Sequence, residues 1–240
     1  MNELWSTLRG FKFNGKHNYK DLGVIMHSRS IQPPQKKKIK ESVPFMNGSY
    51  DFSTVGSNGE IVYGEREITV VLGLPSTSKE QLQILYSKIL EWISDSGQCQ
   101  LIFDDVIDYY YMAEVENASS FEEAVTFGRL SITFVAEPFK TSVNYISDDI
   151  WDTFNFEEDI SQNVEFDVTN SISVMIYNVG RGIVPTVSCS SAMTVTLLGL
   201  TYNLVEGNNT LYALSLSHGE NRMTVTGNGH IKFLFRKKVL

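Results

Sequence analysis

Five carboxylates lie close together in this chain, Asp104, Asp105 and Asp108, then Glu122 and Glu123. Two such groups flanking a glycosidic bond can serve as acid and base. That chemistry requires convergence, and neighbouring residues of a strand point to opposite faces, so adjacent acids are not expected to meet on one bond. The histidines at 17, 27, 218 and 230 contain no i, i+4 pair, which leaves neither a metalloprotease helix nor a zinc finger. No GxSxG elbow, GxxxxGK loop or helix-opening GxGxxG is present. Gly180 with Gly182 and Gly227 with Gly229 read instead as hairpin turns between strands. Cys99 and Cys189 lie far apart without a CxxC neighbour, so both are expected as buried free thiols. The sequence implies no enzyme, no cofactor and no metal.

Two clusters suggest binding rather than catalysis. In the run Tyr109, Tyr110, Tyr111, alternation sets Tyr110 on the face opposite its neighbours, so one aromatic side is expected to be exposed or in an interface. The basic run Lys36, Lys37, Lys38 and Lys40 lacks interleaved aromatics and sits in a chain of 28 acids and 20 bases with a formal net charge of −8. Nucleic-acid binding is disfavoured by that balance, and lysines on an edge strand also block unwanted pairing.

The elements that must position these residues are mostly strands. Lys79 to about Asp95 is the exception, with Leu82, Leu85, Tyr86, Ile89, Trp92 and Ile93 at helical spacing, Ser78 and Gln81 in capping-box form, and Gly97 as the stop. Its apolar stripe is expected to cover a sheet face. DYYYMAEVE, TFGRLSITFVA and the later series TVSCS, MTVTLLG, TYNLVEG, TLYALSLS, NRMTVTG and HIKFLFR alternate with period two between turn glycines, the pattern of an antiparallel β-sandwich. The fold class is therefore mainly β: an amino-terminal sandwich-like domain with one helix, then a second antiparallel sandwich.

Residues 1–140 form the expected first domain, closed by Pro138, and residues 166–240 the second. Between them, 141–165 reads as an acidic, solvated junction, because 141–180 contains no Lys or Arg while Asp148, Asp149, Asp152, Glu157, Glu158, Asp159, Glu165 and Asp167 crowd in. The acids follow no DxDxDG pattern, so calcium is not expected. With 240 residues, 42% of them hydrophobic, each domain can bury a core without staples. No apolar run reaches 18 residues, and the opening MNELWSTLRG lacks the apolar block of a signal peptide, so membrane insertion is not expected and synthesis in a cytoplasm is.

One corner carries more information than the rest. Val43 to Phe52, VPFMNGSYDF, joins two extended segments through a Pro, an Asn-Gly and the aromatics Phe45, Tyr50 and Phe52. It follows FKFNGK from Phe11 and DLGVIM from Asp21, and precedes REITVVL from Arg66, LEWI at the helix end, LIFDD, DYYYMAEV and FVAEPF. That order resembles the amino-terminal domain of siphophage distal tail proteins, the ring-forming hub of long non-contractile tails. YNVGRGIVPTVSC from Tyr177 and the closing GENRMTVTGNGHIKFLFRKKVL are similar to the same family's galectin-like carboxy-terminal sandwich. The corner departs from the family's VPGRDG, with Phe45, Met46 and Asn47 between Pro44 and Gly48.

The resemblance implies a virion protein at the phage tail tip, made in a host bacterium's cytoplasm. Six copies would form a homohexameric ring, stacked between the tail tube protein and the tail-associated hub protein, with the second domains carrying receptor-binding proteins. DNA would pass through the channel without specific binding. Lys36, Lys37, Lys38, Lys40, Phe45, Tyr50 and Tyr110 are the candidate ring or partner interface. The alternative is a carbohydrate-binding sandwich that recognises host cell-wall glycans, for which a concave aromatic and polar groove on the second domain is expected.

Overall fold

The computed structural model describes residues 10–57, 59–94, 96–124, 127–146 and 161–240. The opening MNELWSTLR and the acids from Asp148 to Asp159 lie outside them. The chain separates into two compact units, one through Lys140 and one from Thr141 to Val239.

The first unit holds β1 (Phe11–Phe13), β2 (Lys16–His17), β3 (Ile25–Ile31), β4 (Lys40–Glu41), β5 (Tyr50–Asp51), β6 (Arg66–Pro75), α1 (Lys79–Ser94), β7 (Cys99–Phe103), β8 (Tyr109–Glu123) and β9 (Phe127–Ala136). Its main antiparallel sheet runs in the order β2-β1-β7-β8-β9-β6-β3. On β6 the pattern puts Ile68, Val70 and Leu72 inside, and on β9 Leu130, Ile132, Phe134 and Ala136, each fully or almost fully buried.

The sheet does not lie open as a sandwich layer; it curls. Phe13 of β1 meets Phe134 of β9 edge-on at 5.1 Å between ring centroids, and Phe11 meets it at 6.0 Å. Arg29 of β3 forms a bidentate ion pair with Asp105, just past β7, and its guanidinium covers the buried Phe103 ring at 4.5 Å. A strand at one end of the path thus touches the far side of the sheet. Buried aromatic area supplies most of the closure energy, because an exposed ion pair contributes about 0–1 kcal/mol.

The helix α1 lays Leu82, Ile89, Trp92 and Ile93 against this sheet. The Trp92 ring stacks on Phe11 at 5.8 Å, and its indole N–H donates to the Phe13 carbonyl at 2.9 Å. Half of the expected capping box forms. The Gln81 amide N–H donates to Ser78 Oγ, while the Gln81 side chain turns to Thr77.

The second unit contains β10 (Lys140–Ser142) at its start, β11 (Glu165–Asn178), β12 (Thr186–Cys189), β13 (Met193–Leu197), β14 (Leu200–Leu204), β15 (Gly207–Thr210), β16 (Gly219–Leu234) and β17 (Lys238–Val239). The long β16 pairs with β11 along one edge from Gly219 to Lys232. Its other edge pairs first with β13 at 223–226 and then with β12 at 231–234. Between those stretches Gly227 and Gly229 take φ values of 144° and 136°. A Cβ on Gly227 would stand 2.8 Å from the Met193 side chain. The sheet bends there and closes both halves on one core of Val187, Val195, Val225, Ile231 and Phe233.

Four expectations change. Gly227 and Gly229 sit inside one bent strand, so NRMTVTG and HIKFLFR are not a hairpin pair. The strand expected at TLYALSLS falls earlier, at Gly207–Thr210, because buried Asn209 satisfies its amide with the Val205 and Gly207 carbonyls. The expected junction at 141–165 shrinks at both ends. Ile146 and Val164 are buried in the second core, Glu165 opens β11 and pairs with Lys232, and Asp167 meets His230. Lys232 also holds the Glu165 carboxyl below its usual range. Finally, Cys189 is buried but Cys99 is partly exposed.

Two measurements check this core. Trp92→Ala removes a buried indole and its hydrogen bond to the Phe13 carbonyl, and should lower unfolding stability by about 3–5 kcal/mol in a denaturant series. Burial pushes the Cys189 thiol up, favouring its protonated form, so a thiol reagent near neutral pH should label Cys99 in the native chain and Cys189 only after denaturation.

Candidate assembly surface

Between the end of β3 and the start of β6 the chain leaves the barrel as an arm, residues 32–65. Gln32 N donates to Glu67 O at its base, then Gly64 N to Gln35 O and Lys37 N to Val62 O, so the two limbs run as a ladder. Lys36 bridges Tyr63 in the same ladder. Further out, β4 and β5 pair Lys40 with Asp51 and Glu41 with Tyr50, and the corner 42–49 closes them. Pro33, Pro34 and the absence of alternation explain why this limb does not continue β3.

The arm has almost no core. Phe45 is fully exposed and held at a positive φ of 70° at the tip; Val55 is 74% exposed and Tyr50 54%. Ile39, Val43, Met46, Phe52, Ile61 and Val62 are exposed as well. Tyr50 and Phe52 touch only loosely, at 6.2 Å between centroids. An isolated two-stranded ribbon is marginal in water, and this much exposed apolar surface on one segment makes it the candidate surface of this unit.

Six of the seven residues singled out from the sequence lie on this arm: Lys36, Lys37, Lys38, Lys40, Phe45 and Tyr50. Tyr110 does not. It is 8% exposed and Tyr111 9%, so both faces of β8 are covered at this point and the expected exposed aromatic side is absent here. Asp51 lies below the usual carboxyl range through its hydrogen bond with Ser53, with smaller contributions from Lys40 and Lys38. The lysines at 36, 37, 38 and 40 make no ion pair among the described residues. Ile39, Val55, Ile61 and Val62 were missed because isolated apolar residues in a turn-rich stretch show no periodicity.

The carboxylates considered for catalysis are occupied or apart. Asp104 accepts from His17 Nε2 at 3.1 Å, and His17 Nδ1 accepts the backbone N–H of Tyr19 and Lys20, which fixes the proton on Nε2. Asp105 holds Arg29 on the other side, and Glu123 accepts from Gln83. The two aspartates lie in a turn past β7 rather than in a strand, yet they still point to different partners. Among the described residues no three His, Cys, Asp or Glu side chains cluster as metal ligands.

Because Phe45 and Tyr50 contact little in the subunit, Phe45→Ser and Tyr50→Ser should each shift unfolding stability by less than about 0.5 kcal/mol. A thermal or urea melt of the dilute chain measures this. A loss of 2 kcal/mol or more would mean that the tip packs as core.

The phage tail protein RIFT-related domain profile matches residues 16–136. The crystal structure of the Dit protein of phage SPP1, described as a paradigm of the hub adsorption apparatus in phages infecting Gram-positive bacteria, aligns with a TM-score of 0.63 over 96% of this chain and 99% of that one, at 12% identity. A chain of the activated phage P2 baseplate with Ca covers 96% of this chain and 98% of its own at 12% identity, with a TM-score of 0.41, and carries no weight. No curated protein sequence matches. The chain therefore has the fold of the SPP1 hub protein and, matched by the profile over half its length, belongs to the phage tail protein RIFT-related domain family as a structural component of the virion.

Proposed function

We propose that six copies of the chain form a closed ring at the distal end of a phage tail, each arm clasping the next copy. The observation that carries this reading is the arm itself, a long ribbon whose apolar tip is exposed among the described residues. Seating that tip on a neighbour removes its apolar surface from water and pairs its exposed ribbon edges. The arm and the surface it would grip are different parts of the chain, which permits a head-to-tail contact, the kind that closes into rings.

In this reading the ring stacks between the tail tube protein and the tail-associated hub protein, and the second units carry receptor-binding proteins toward the host. DNA passes through the channel. At −8 per copy the ring is strongly acidic and repels duplex DNA, which favours passage without retention. The role is architectural, and no catalytic step is assigned to any residue.

Light scattering of the purified chain across a concentration series should give a mass near six times 27.1 kDa at the upper end. Phe45→Asp should keep the chain folded and shift it toward the monomer. A mass of 27.1 kDa throughout would sink ring formation by the isolated protein.

A further inference from the structure

The arm's lysines have a counterpart elsewhere on the barrel. Glu67 of β6 and Glu114 of β8 are both registered against Val135 of the strand between them, β9. Their neighbours Arg66, Ile68, Ala113, Phe134 and Ala136 are buried, so Glu67, Val135 and Glu114 form one cross-strand row on the outer face. The two carboxylates stand two strand spacings apart, roughly 9–10 Å. Glu116 follows at a bulge in the β8–β9 ladder and is exposed too. None of the three pairs with a cation among the described residues; Glu67 accepts only the Thr69 hydroxyl at 3.3 Å.

The chain thus carries two rows of opposite sign. The basic one, Lys36, Lys37, Lys38 and Lys40, lies on the outgoing limb of the arm. On the returning limb Asp51 stands opposite Lys40 and offsets part of that charge, while Glu60 and Glu65 form no ion pair with the row among the described residues. Eight extended residues from Gln32 to Lys40 carry the last lysine up to about 26 Å from the arm's base beside Glu67, far enough to reach another subunit. Like charges on one face repel, and a partner's row of lysines relieves that cost.

We infer that the outer-face acids Glu67, Glu114 and Glu116 are the docking site for the lysine limb, Lys36 to Lys40, of a second copy of this chain. This rests on the ring reading and specifies its geometry. Each copy gives a basic limb to one neighbour and offers an acidic face to the other. The contact sets register and orientation, while the apolar tip supplies most of the association energy.

Charge reversal tests this with the full-length chain. One variant carries Lys36→Glu, Lys37→Glu and Lys38→Glu; the other carries Glu67→Lys, Glu114→Lys and Glu116→Lys. All are exposed, and unchanged thermal midpoints confirm folding. Each variant alone should need at least tenfold more protein to assemble, since its own limb and face now repel. An equimolar mixture should recover wild-type assembly, and native mass spectrometry should find the two in equal numbers within each ring, because only alternation pairs opposite charges. Milder Lys→Gln and Glu→Gln versions should weaken assembly in the same direction. Variants that assemble like the wild type, or a mixture that does not recover, would overturn the docking site while leaving the ring intact. A wild-type chain that stays monomeric would remove the ring reading, and this inference with it.

Discussion

The contact on which the first unit depends is the meeting of Phe11 and Phe13 with Trp92 on one side and Phe134 on the other. It forces a sheet whose path runs β2-β1-β7-β8-β9-β6-β3 to curl until its ends approach. Only then can Arg29 reach Asp105. That polar contact is a consequence of closure, because a pair near the surface cannot by itself repay the ordering of the strands it joins. With most of the sheet turned inward on its aromatic core, the principal apolar surface left outside in this unit is the arm.

This division explains why an exposed hydrophobic segment can be tolerated. The barrel's stability comes from residues that contribute nothing to the arm, and the arm's ladder from Gln32 to Gly64 is held by backbone bonds at its base. Folding energy therefore resides in residues other than those of the arm, and an exposed tip residue such as Phe45 contributes little to it.

Much of this was legible from residue pattern. α1 was readable because Leu82, Ile89, Trp92 and Ile93 share one helical stripe behind a serine cap. β6 and β9 were readable from alternation. The arm was visible as a corner, and its lysines and tip aromatics lie on one excursion of the chain, but its isolation from the core is a tertiary fact that no local pattern carries. Tyr110 was misplaced because alternation tells which face a side chain takes, not whether that face is covered. Glu165 and Asp167 looked unpaired because their partners, Lys232 and His230, lie more than sixty residues later on β16. The glycines at 227 and 229 looked like a turn because glycine marks both reversals and bends, and only the unbroken pairing with β11 distinguishes them.

The placement of charge completes the picture. On β11 and β16 opposite charges are neighbours within the sheet and satisfy each other, as Glu165 and Lys232 do. On the first unit the signs are mixed in places, with Arg129 opposite Glu122 and Arg29 on Asp105, but the arm's lysines and the glutamates at 67, 114 and 116 lie on separate surfaces. That separation adds nothing to the fold of a single chain and costs some repulsion. Because the two rows occupy different surfaces, copies could join head to tail, each limb on the next copy's face. Such a succession would satisfy every row except those at its two ends, and closing it into a ring would satisfy these as well.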